Sequence, residues 1–281
     1  MTGVTVASDA AHNWSSQESG NGGGLVVRRA EASYNARIMK TPYGLRVIED
    51  CIACPVMKDR VFCNLPQPAL AGLDAISSSA TYPKGAVLFV EGQEPRGAFI
   101  LCNGRVKLFG ASAAGKAVIF RIAEPGEIIG LPSTLSSRPY EVTAEALEPT
   151  QANFIPREAF LAFLREHGET ALRVAEMLSN IYHTTCQEIR YLGLSSSAIG
   201  KLARFLLDLK PPKNLSSKEL EASGTRVTLT LTHEEIANMI GTSRETVSRL
   251  LASFKRKHLI EVHGSTVVIN DKEALQELVE I

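Results

Sequence analysis

Between residues 72 and 156 the chain consists of short apolar runs that recur about every ten to twelve residues and are separated by turn residues. Among the separators, the pair Asn103-Gly104 is the strongest short-range signal for a β-hairpin. Runs with this spacing are typical of a β-sandwich or a jelly-roll barrel. The predicted strands cover residues 86–90, 98–102, 106–109, 117–122, 127–131, 140–147 and 152–155.

After Pro156 the pattern becomes helical. Across residues 169–193 six positions recur at spacings of three or four, which predicts one long helix with a stripe on one side. A stripe of this kind commonly pairs with a second helix, so we predict a homodimer; the alternative is packing of the stripe against the β-domain of the same chain. The stripe consists of Val174, Leu178, Ile181, Thr185, Ile189 and Leu192.

Composition limits the classes of function. The length of 281 residues suggests two domains, and the 30 basic and 30 acidic side chains cancel, so any nucleic-acid site must be local. No apolar stretch approaches the roughly 18 residues of a membrane span, and the N-terminus lacks a signal-peptide pattern, so we expect a cytoplasmic protein without a membrane partner. Scattered histidines and the lack of a G-x-S-x-G or P-loop motif predict that the chain is no enzyme.

Two helices joined by a short turn are predicted near the C-terminus. Thr232 and Glu235 form a T-x-x-E capping box before the first helix, and Gly241 ends that helix. Thr242 and Glu245 form a second T-x-x-E box, which predicts that another helix starts at once. Two helices with this spacing match a helix-turn-helix.

The second of these helices has an apolar face and a polar face. The apolar positions, at i, i+3, i+4 and i+7, are Val247, Leu250, Leu251 and Phe254. The outward positions near its N-terminal end are Arg244, Glu245, Ser248 and Arg249. Arginine can bond guanine O6 and N7, and glutamate can accept a hydrogen bond from cytosine N4, so we predict that this face contacts DNA bases.

Local charge agrees with DNA binding. Residues 244–258 carry five Lys and Arg side chains and one acidic side chain, which gives 5 − 1 = +4 in a chain that is neutral as a whole. Residues 260–269 follow as strand, turn and strand, the pattern of the wing of a winged helix. The alternative is a cytosolic metal or small-molecule sensor whose winged module binds a protein partner, but that role leaves the outward arginines without an evident use.

The segment LTHEEIANMIGTSRETVSRLLASFKRKHLIEVHGSTVVI resembles the DNA-binding domain of the Crp/Fnr family of bacterial transcription regulators. Its most specific parts are the SRETVSR run and the G-R-V-K strand after the Asn-Gly turn, and the resemblance covers about residues 51–275. It implies an α+β fold with an N-terminal β-roll (jelly-roll-like) sensor domain, a long dimerisation helix and a C-terminal winged helix-turn-helix. It also implies a homodimer on a palindromic operator, with RNA polymerase as a partner.

The resemblance assigns roles to single residues. Base contacts to a TGTGA-like half-site fall on Arg244, Glu245 and Arg249, whereas Ser248 resembles the oxygen-sensing branch with its TTGAT-like half-site, so the operator sequence stays open. Phosphate contacts fall on Thr232, Ser243 and Thr246, which suits hydroxyls at helix starts.

On this basis the chain divides into five predicted parts. They are a disordered tail (residues 1–40), a cysteine-bearing N-terminal segment (41–66), the β-roll sensor domain (67–165), the dimerisation helix (166–195) and the winged helix-turn-helix (196–281).

Cyclic AMP is disfavoured as the effector. The phosphate cassette of the cyclic-AMP-binding members resembles residues 126–144 here, but Leu131 occupies the place of the glutamate that pairs with the ribose, and Pro139 follows Arg138. A ribose hydroxyl left unsatisfied costs about 1 to 3 kcal/mol. Arg138 is kept as the one residue of the cassette that could bind an anionic effector.

The cysteines offer a different input. Cys51, Cys54 and Cys63 form a C-x2-C-x8-C run similar to the iron–sulfur ligands of oxygen-sensing Fnr proteins, which need a fourth thiolate. The Fnr position for that ligand holds Asn153 here, so Cys102 is the available β-roll candidate. Three uses stay open for these thiols: an iron–sulfur cluster, a zinc ion, or packing as small buried side chains.

Overall fold

The computed structural model describes residues 43–45, 47–48, 51, 54, 63–112, 117–194, 197–209 and 225–279. The predicted tail, residues 1–40, lies outside these ranges. The first half of the described chain contains eight strands, seven of which lie where the spacing of apolar runs predicts them. They are β1 (Ser78–Tyr82), β2 (Val87–Phe89), β3 (Gly97–Asn103), β4 (Val106–Ala111), β5 (Ala117–Ala123), β6 (Ile128–Ile129), β7 (Thr143–Ala146) and β8 (Thr150–Pro156).

These strands form two antiparallel four-stranded sheets, in the orders β1-β8-β3-β6 and β2-β7-β4-β5. Strand β4 illustrates why they face each other: Val106 and Leu108 point into the buried layer, while Lys107 lies between them and pairs with Glu145 at 2.8 Å. Phe99 and Leu101 of β3 enter the same apolar layer from the other sheet. The β-roll prediction is therefore confirmed as a two-layer structure.

Four helices accompany the β-roll: α1 (Gln67–Ala75), α2 (Leu131–Ser136), α3 (Arg157–Glu166) and α4 (Gly168–Leu194). They cover part of one sheet, where Leu70, Leu131 and Phe160 are buried with Ile100 and Ile155. Helix α1 and strand β1 are absent from the prediction, since β1 (SSATY) has no run of apolar residues. The predicted strand at 127–131 is wrong at its end, because Gly130 takes a left-handed conformation (φ +74°) and α2 begins there.

The C-terminal module comprises α5 (Ala198–Asp208), β9 (Thr225–Thr228), α6 (His233–Ile240), α7 (Arg244–Arg256), β10 (Ile260–His263), β11 (Thr266–Ile269) and α8 (Lys272–Val279). Its three strands form one antiparallel sheet in the order β10-β11-β9, with Gly264 and Ser265 turning between β10 and β11. A separate core holds α5, α6, α7 and this sheet together. The predicted winged helix-turn-helix is confirmed.

The long helix α4 is present as predicted, but its stripe does not form a single face. Val174 is only 3% exposed and lies in the core of the β-roll, where Leu178 packs beside it, whereas Ile189 is 65% exposed. The first half of the predicted stripe thus packs within its own chain. The exposed side of α4 follows a different series, with spacings of three and four: Leu172, Ala175, Ser179, Tyr182, Cys186 and Ile189. We call this series the α4 seam.

Candidate nucleic-acid interface

Helix α6 starts and ends as its sequence predicts. The hydroxyl of Thr232 accepts a hydrogen bond from the backbone N–H of Glu235 at 3.2 Å, and the Glu235 carboxylate accepts one from the N–H of Thr232 at 2.8 Å. This reciprocal pair is a complete capping box. Gly241 ends the helix in the left-handed conformation (φ +68°), which costs glycine little.

The predicted start of α7 is wrong by one residue. The N-cap is Ser243, whose hydroxyl accepts from the N–H of Thr246 at 3.2 Å, and no Thr242–Glu245 box caps the helix. The reason lies in the turn: the backbone N–H of Thr242 is bonded to the carbonyl of Ala237 at 3.0 Å, so Thr242 still belongs to the end of α6. The shift leaves the outward face of α7 unchanged.

Burial divides α7 into the two faces that its pattern predicts. Val247 is fully buried, and Leu250, Leu251 and Phe254 join it in the core of the module. Arg244, Glu245 and Arg249 are exposed near the N-terminal end. The pKa of Glu245 is lowered, first by its own backbone N–H and then by the Ser243 side chain, so its carboxylate is held ionised at the start of the helix.

Ser248 differs from the other predicted base contacts. It is half-buried, and its hydroxyl lies 2.8 Å from Nδ1 of His233 on α6. That contact joins the two helices across the turn and partly engages the hydroxyl. Periodicity could not reveal it, because the contact joins residues of two different helices.

The three predicted phosphate contacts lie at the starts of the two helices. Thr232 precedes α6, and Ser243 and Thr246 lie at the start of α7, with their hydroxyl oxygens 3.0 Å apart. All three hydroxyls already take part in capping or in hydrogen bonds within this turn. The first N–H groups of a helix favour anions, so these two starts are chemically suited to phosphate.

Comparison with protein families accounts for both halves of the chain. A model of the cyclic nucleotide-binding domain matches residues 80–167, and a model of the Crp-like helix-turn-helix domain matches residues 200–278. The chain belongs to the Crp/Fnr family. It is accordingly a DNA-binding transcription regulator, which confirms the prediction from α6 and α7.

Curated relatives from two branches of the Crp/Fnr family resemble this chain. The CRP-like cAMP-activated global transcriptional regulator of Mycobacterium tuberculosis is 27% identical over 215 residues, which cover 76% of this chain and 94% of the relative. The transcriptional activator protein FnrA of Stutzerimonas stutzeri is 28% identical over 208 residues, covering 72% and 80%. FixK2 from Bradyrhizobium japonicum has the same fold, with a TM-score of 0.62, 20% identity and coverage of 72% and 97%.

Two residues of the cassette, Leu131 and Arg138, differ in their exposure to solvent. Leu131 is fully buried among apolar side chains that include Ile128 and Phe160. Arg138 is exposed, and its backbone N–H donates to the Ser136 hydroxyl at 3.3 Å. The loop therefore presents one cationic side chain but no buried carboxylate at the position of Leu131.

Two buried amides of the β-roll bind the described part of the cysteine segment. The amide of Gln151, which is fully buried, donates to the carbonyl of Ile48 at 2.6 Å and accepts from the N–H of Ile48 at 2.7 Å. Asn153, on the same strand, donates from Nδ2 to Sγ of Cys51 at 3.3 Å. These two amides hold the segment against sheet β1-β8-β3-β6.

Cys51 lies in a polar niche. Its pKa is raised, first by burial, then by a hydrogen bond with Asp74 and by the nearby thiols of Cys102 and Cys63. Cys54 is half-buried and does not contribute to this shift. Oδ1 of Asn153 is buried without a hydrogen-bond partner. The structure thus gathers three of the four predicted thiols, with Asn153 and Asp74 as neighbours that the sequence pattern did not indicate.

The fit of a metal group to these residues can be tested on their placement. Within the described ranges, no three His, Cys, Asp or Glu side chains are positioned to hold a metal ion. The amide of Asn153 and the carboxylate of Asp74 instead satisfy the Cys51 thiol by hydrogen bonding. In the described part of the chain, the Cys51 thiol is therefore engaged by hydrogen bonds to Asn153 and Asp74.

We expect Ser243→Ala to lower the free energy of unfolding by about 1 kcal/mol, since the N–H of Thr246 loses its cap. Thr242→Ala is the matched control, and its effect should stay within about 0.5 kcal/mol. Chemical denaturation measures both values. A larger effect at Thr242 than at Ser243 would contradict the observed start of α7.

We also expect Cys51→Ala to destabilise the protein by about 1 to 3 kcal/mol, because the buried amide of Asn153 loses its acceptor. The control is Cys54→Ala, for which we expect less than about 1 kcal/mol. Thermal unfolding of anaerobically purified protein measures the stability of each variant, and iron and sulfide assays measure its iron–sulfur content. A stoichiometric iron–sulfur content lost in both variants would show that the thiols serve as ligands instead.

Proposed function

We propose that this Crp/Fnr regulator acts as a homodimer that inserts helix α7 of each copy into the major groove of a palindromic operator. Arg244, Glu245 and Arg249 would contact base edges, and Ser248 would contribute while bonded to His233. The observation that carries the proposal is the division of α7, with Val247 and its apolar neighbours buried and the two arginines exposed.

Phosphate contacts complete the proposed interface. Thr232, Ser243 and Thr246 would lie against the DNA backbone at the two helix starts, where the first N–H groups favour phosphate. The exposed side chains of Lys255 and Arg256, in the last turn of α7, add positive charge at the other end of the helix. Contacts of this kind orient the protein on DNA and provide affinity that depends on salt.

The α4 seam supports dimerisation. Tyr182 is 73% exposed and Ile189 is 65% exposed, which is unusual for large apolar side chains on one helix. Their spacing of seven residues, within a series that alternates steps of three and four, is the repeat of a two-stranded coiled coil. The small residues Ala175 and Ser179 in the same series allow the two helices to approach closely.

For the input, we propose that a signal received by the β-roll or by the cysteine segment reaches α7 through α4. The cysteine segment is bonded to the β-roll through Ile48 with Gln151 and through Cys51 with Asn153. These contacts support the proposal, because a segment bound through a few buried polar groups can be released by a change at one of them. Arg138 remains the candidate for an anionic effector, and the buried Leu131 argues against cyclic AMP. An effector acts here only if it binds one arrangement of the dimer more tightly than another.

Replacing Arg249 should change specificity, since its guanidinium can make a bidentate contact to one base pair. We expect Arg249→Ala to lose about 1 to 3 kcal/mol of discrimination at that position in a selection on random DNA. The control is Arg256→Ala, which should weaken binding to all sequences about equally. Unchanged specificity in the Arg249 variant, or binding that does not weaken with salt, would instead indicate a protein partner for the winged module.

A charge placed in the α4 seam should disrupt the dimer. We expect Ile189→Glu to shift the protein to the monomer in sedimentation and to abolish binding to a full palindrome, because two carboxylates would face each other across the seam. Thr184→Glu is the control, since Thr184 is exposed but lies outside the seam. A dimer that survives in the Ile189 variant would rule out this seam.

A further inference from the structure

Arg105 lies in the turn between β3 and β4, and its side chain is fixed by a carboxylate of the neighbouring turn. Nε donates to Oε1 of Glu148 and Nη2 donates to Oε2 of the same side chain, both at 3.0 Å. This two-bond arrangement is the strongest form of an Arg–carboxylate pair and fixes the plane of the guanidinium. The salt bridge therefore also fixes the direction in which the remaining nitrogen, Nη1, can donate a hydrogen bond.

The backbone beneath Arg105 is equally constrained. Gly104 adopts φ +77°, and a Cβ at that position would lie 2.7 Å from Cα of Thr150. The carbonyl of Arg105 accepts from the N–H of Leu147 at 2.9 Å. The two turns of the β-roll thus pack directly on each other, and the guanidinium projects from a rigid base.

The remaining nitrogen of this guanidinium reaches the C-terminal module. Nη1 donates to the hydroxyl of Thr230, in the link between β9 and α6. The preceding residue, Leu229, donates its N–H to the carbonyl of Ser265 at 2.6 Å, in the turn of the wing. The pKa of Arg105 is raised mainly by its hydrogen bond to Glu148, and the charge of Glu235, the capping residue of α6, adds to the rise. One side chain therefore touches the β-roll and lies beside both the wing and the start of α6.

The rest of this interface is loosely filled. Helix α6 lies beside strand β5, but a cavity of about 380 Å³ opens between the β-roll and the module, with Phe120, Arg121 and Met239 among its lining residues. Phe120 is 51% exposed. Close apolar packing fixes an orientation by shape, and an interface that contains a cavity does so less firmly. Directional polar contacts then have more influence on how the module sits.

We propose that Arg105 is a positioning residue that fixes the winged module on the β-roll through Thr230 and thereby presents α7 in the orientation that binds DNA. The inference rests on the proposed function, because it concerns the regulation of that interface. In the observed arrangement Arg244 and Arg249 are exposed while the Arg105–Thr230 contact is made. Without the contact the winged module would be more mobile. Binding two α7 helices to half-sites at a fixed spacing would then cost additional free energy, because the modules must first be ordered.

The test uses two variants of the full chain that remove the contact from opposite sides. Thr230→Val removes the hydroxyl at nearly constant volume, and Arg105→Lys keeps the charge but loses the planar fork. We expect each to weaken operator binding by about threefold to tenfold in fluorescence anisotropy. Arg157→Lys is the matched control, because Arg157 also donates to a hydroxyl, that of Ser137, but within the β-roll. The Arg157→Lys variant should bind the operator with the affinity of the wild type.

The double variant shows whether the two residues act through one contact. If they do, Arg105→Lys adds little to Thr230→Val, and the combined loss is clearly smaller than the product of the single losses. Multiplicative losses, or single variants that bind as tightly as the wild type or more tightly, would overturn the proposal. Circular dichroism and thermal unfolding identify a variant that fails to fold, and the other single variant then decides.

A measurement without DNA separates this proposal from the proposed function. In the free protein, amide hydrogen exchange across Leu229–Glu235 should accelerate in Thr230→Val and in Arg105→Lys but not in Arg157→Lys. If the wild type binds no palindromic DNA, the proposed function fails while the exchange data still decide the contact. Unchanged exchange in both interface variants would show that Arg105 does not position the module.

Discussion

The burial of one face of α7 is the constraint on which the function of this regulator depends. Val247, Leu250, Leu251 and Phe254 occupy the core of the winged module, and their removal from water favours one rotation of the helix about its axis. That rotation leaves the arginines on the outside. A helix turned by half a revolution would bury charged groups at a cost of several kcal/mol each. The same packing that stabilises the module therefore produces its DNA-binding face.

A second level of organisation lies in α4, whose two faces have different surroundings. Val174 and Leu178 pack its N-terminal part against the β-roll. The α4 seam faces outward, where a second copy can cover it. In the proposed dimer, a helix fixed to the β-roll at one end and joined to its counterpart along the α4 seam would transmit a small displacement to both winged modules. Arg105 adds a direct polar contact between the β-roll and the winged module of its own chain.

The sequence predicted the pattern-based parts of this structure well. Short apolar runs separated by turn residues located seven of the eight strands of the β-roll. The three-and-four spacing located α4 and α7, because this period follows from which side of a helix is buried. Prediction failed where a local contact decided the outcome. The N-cap of α7 is Ser243 instead of the predicted Thr242, because the backbone N–H of Thr242 is bonded to Ala237 at the end of α6. Strand β1 was not predicted because it carries few apolar residues.

The candidate sites show the same division. The residue types along α7 by themselves determined that the helix has an apolar face and a basic face, since helical periodicity fixes which side chains share a side. Only the tertiary structure decided that Ser248 bonds to His233, that Asn153 and Asp74 enclose the thiol of Cys51, and that Arg105 reaches Thr230. Those pairs join residues 15 to 125 positions apart in the chain, and spacing carries information only within one element. Contacts between elements are set by how the sheets and helices pack, which depends on the whole core at once.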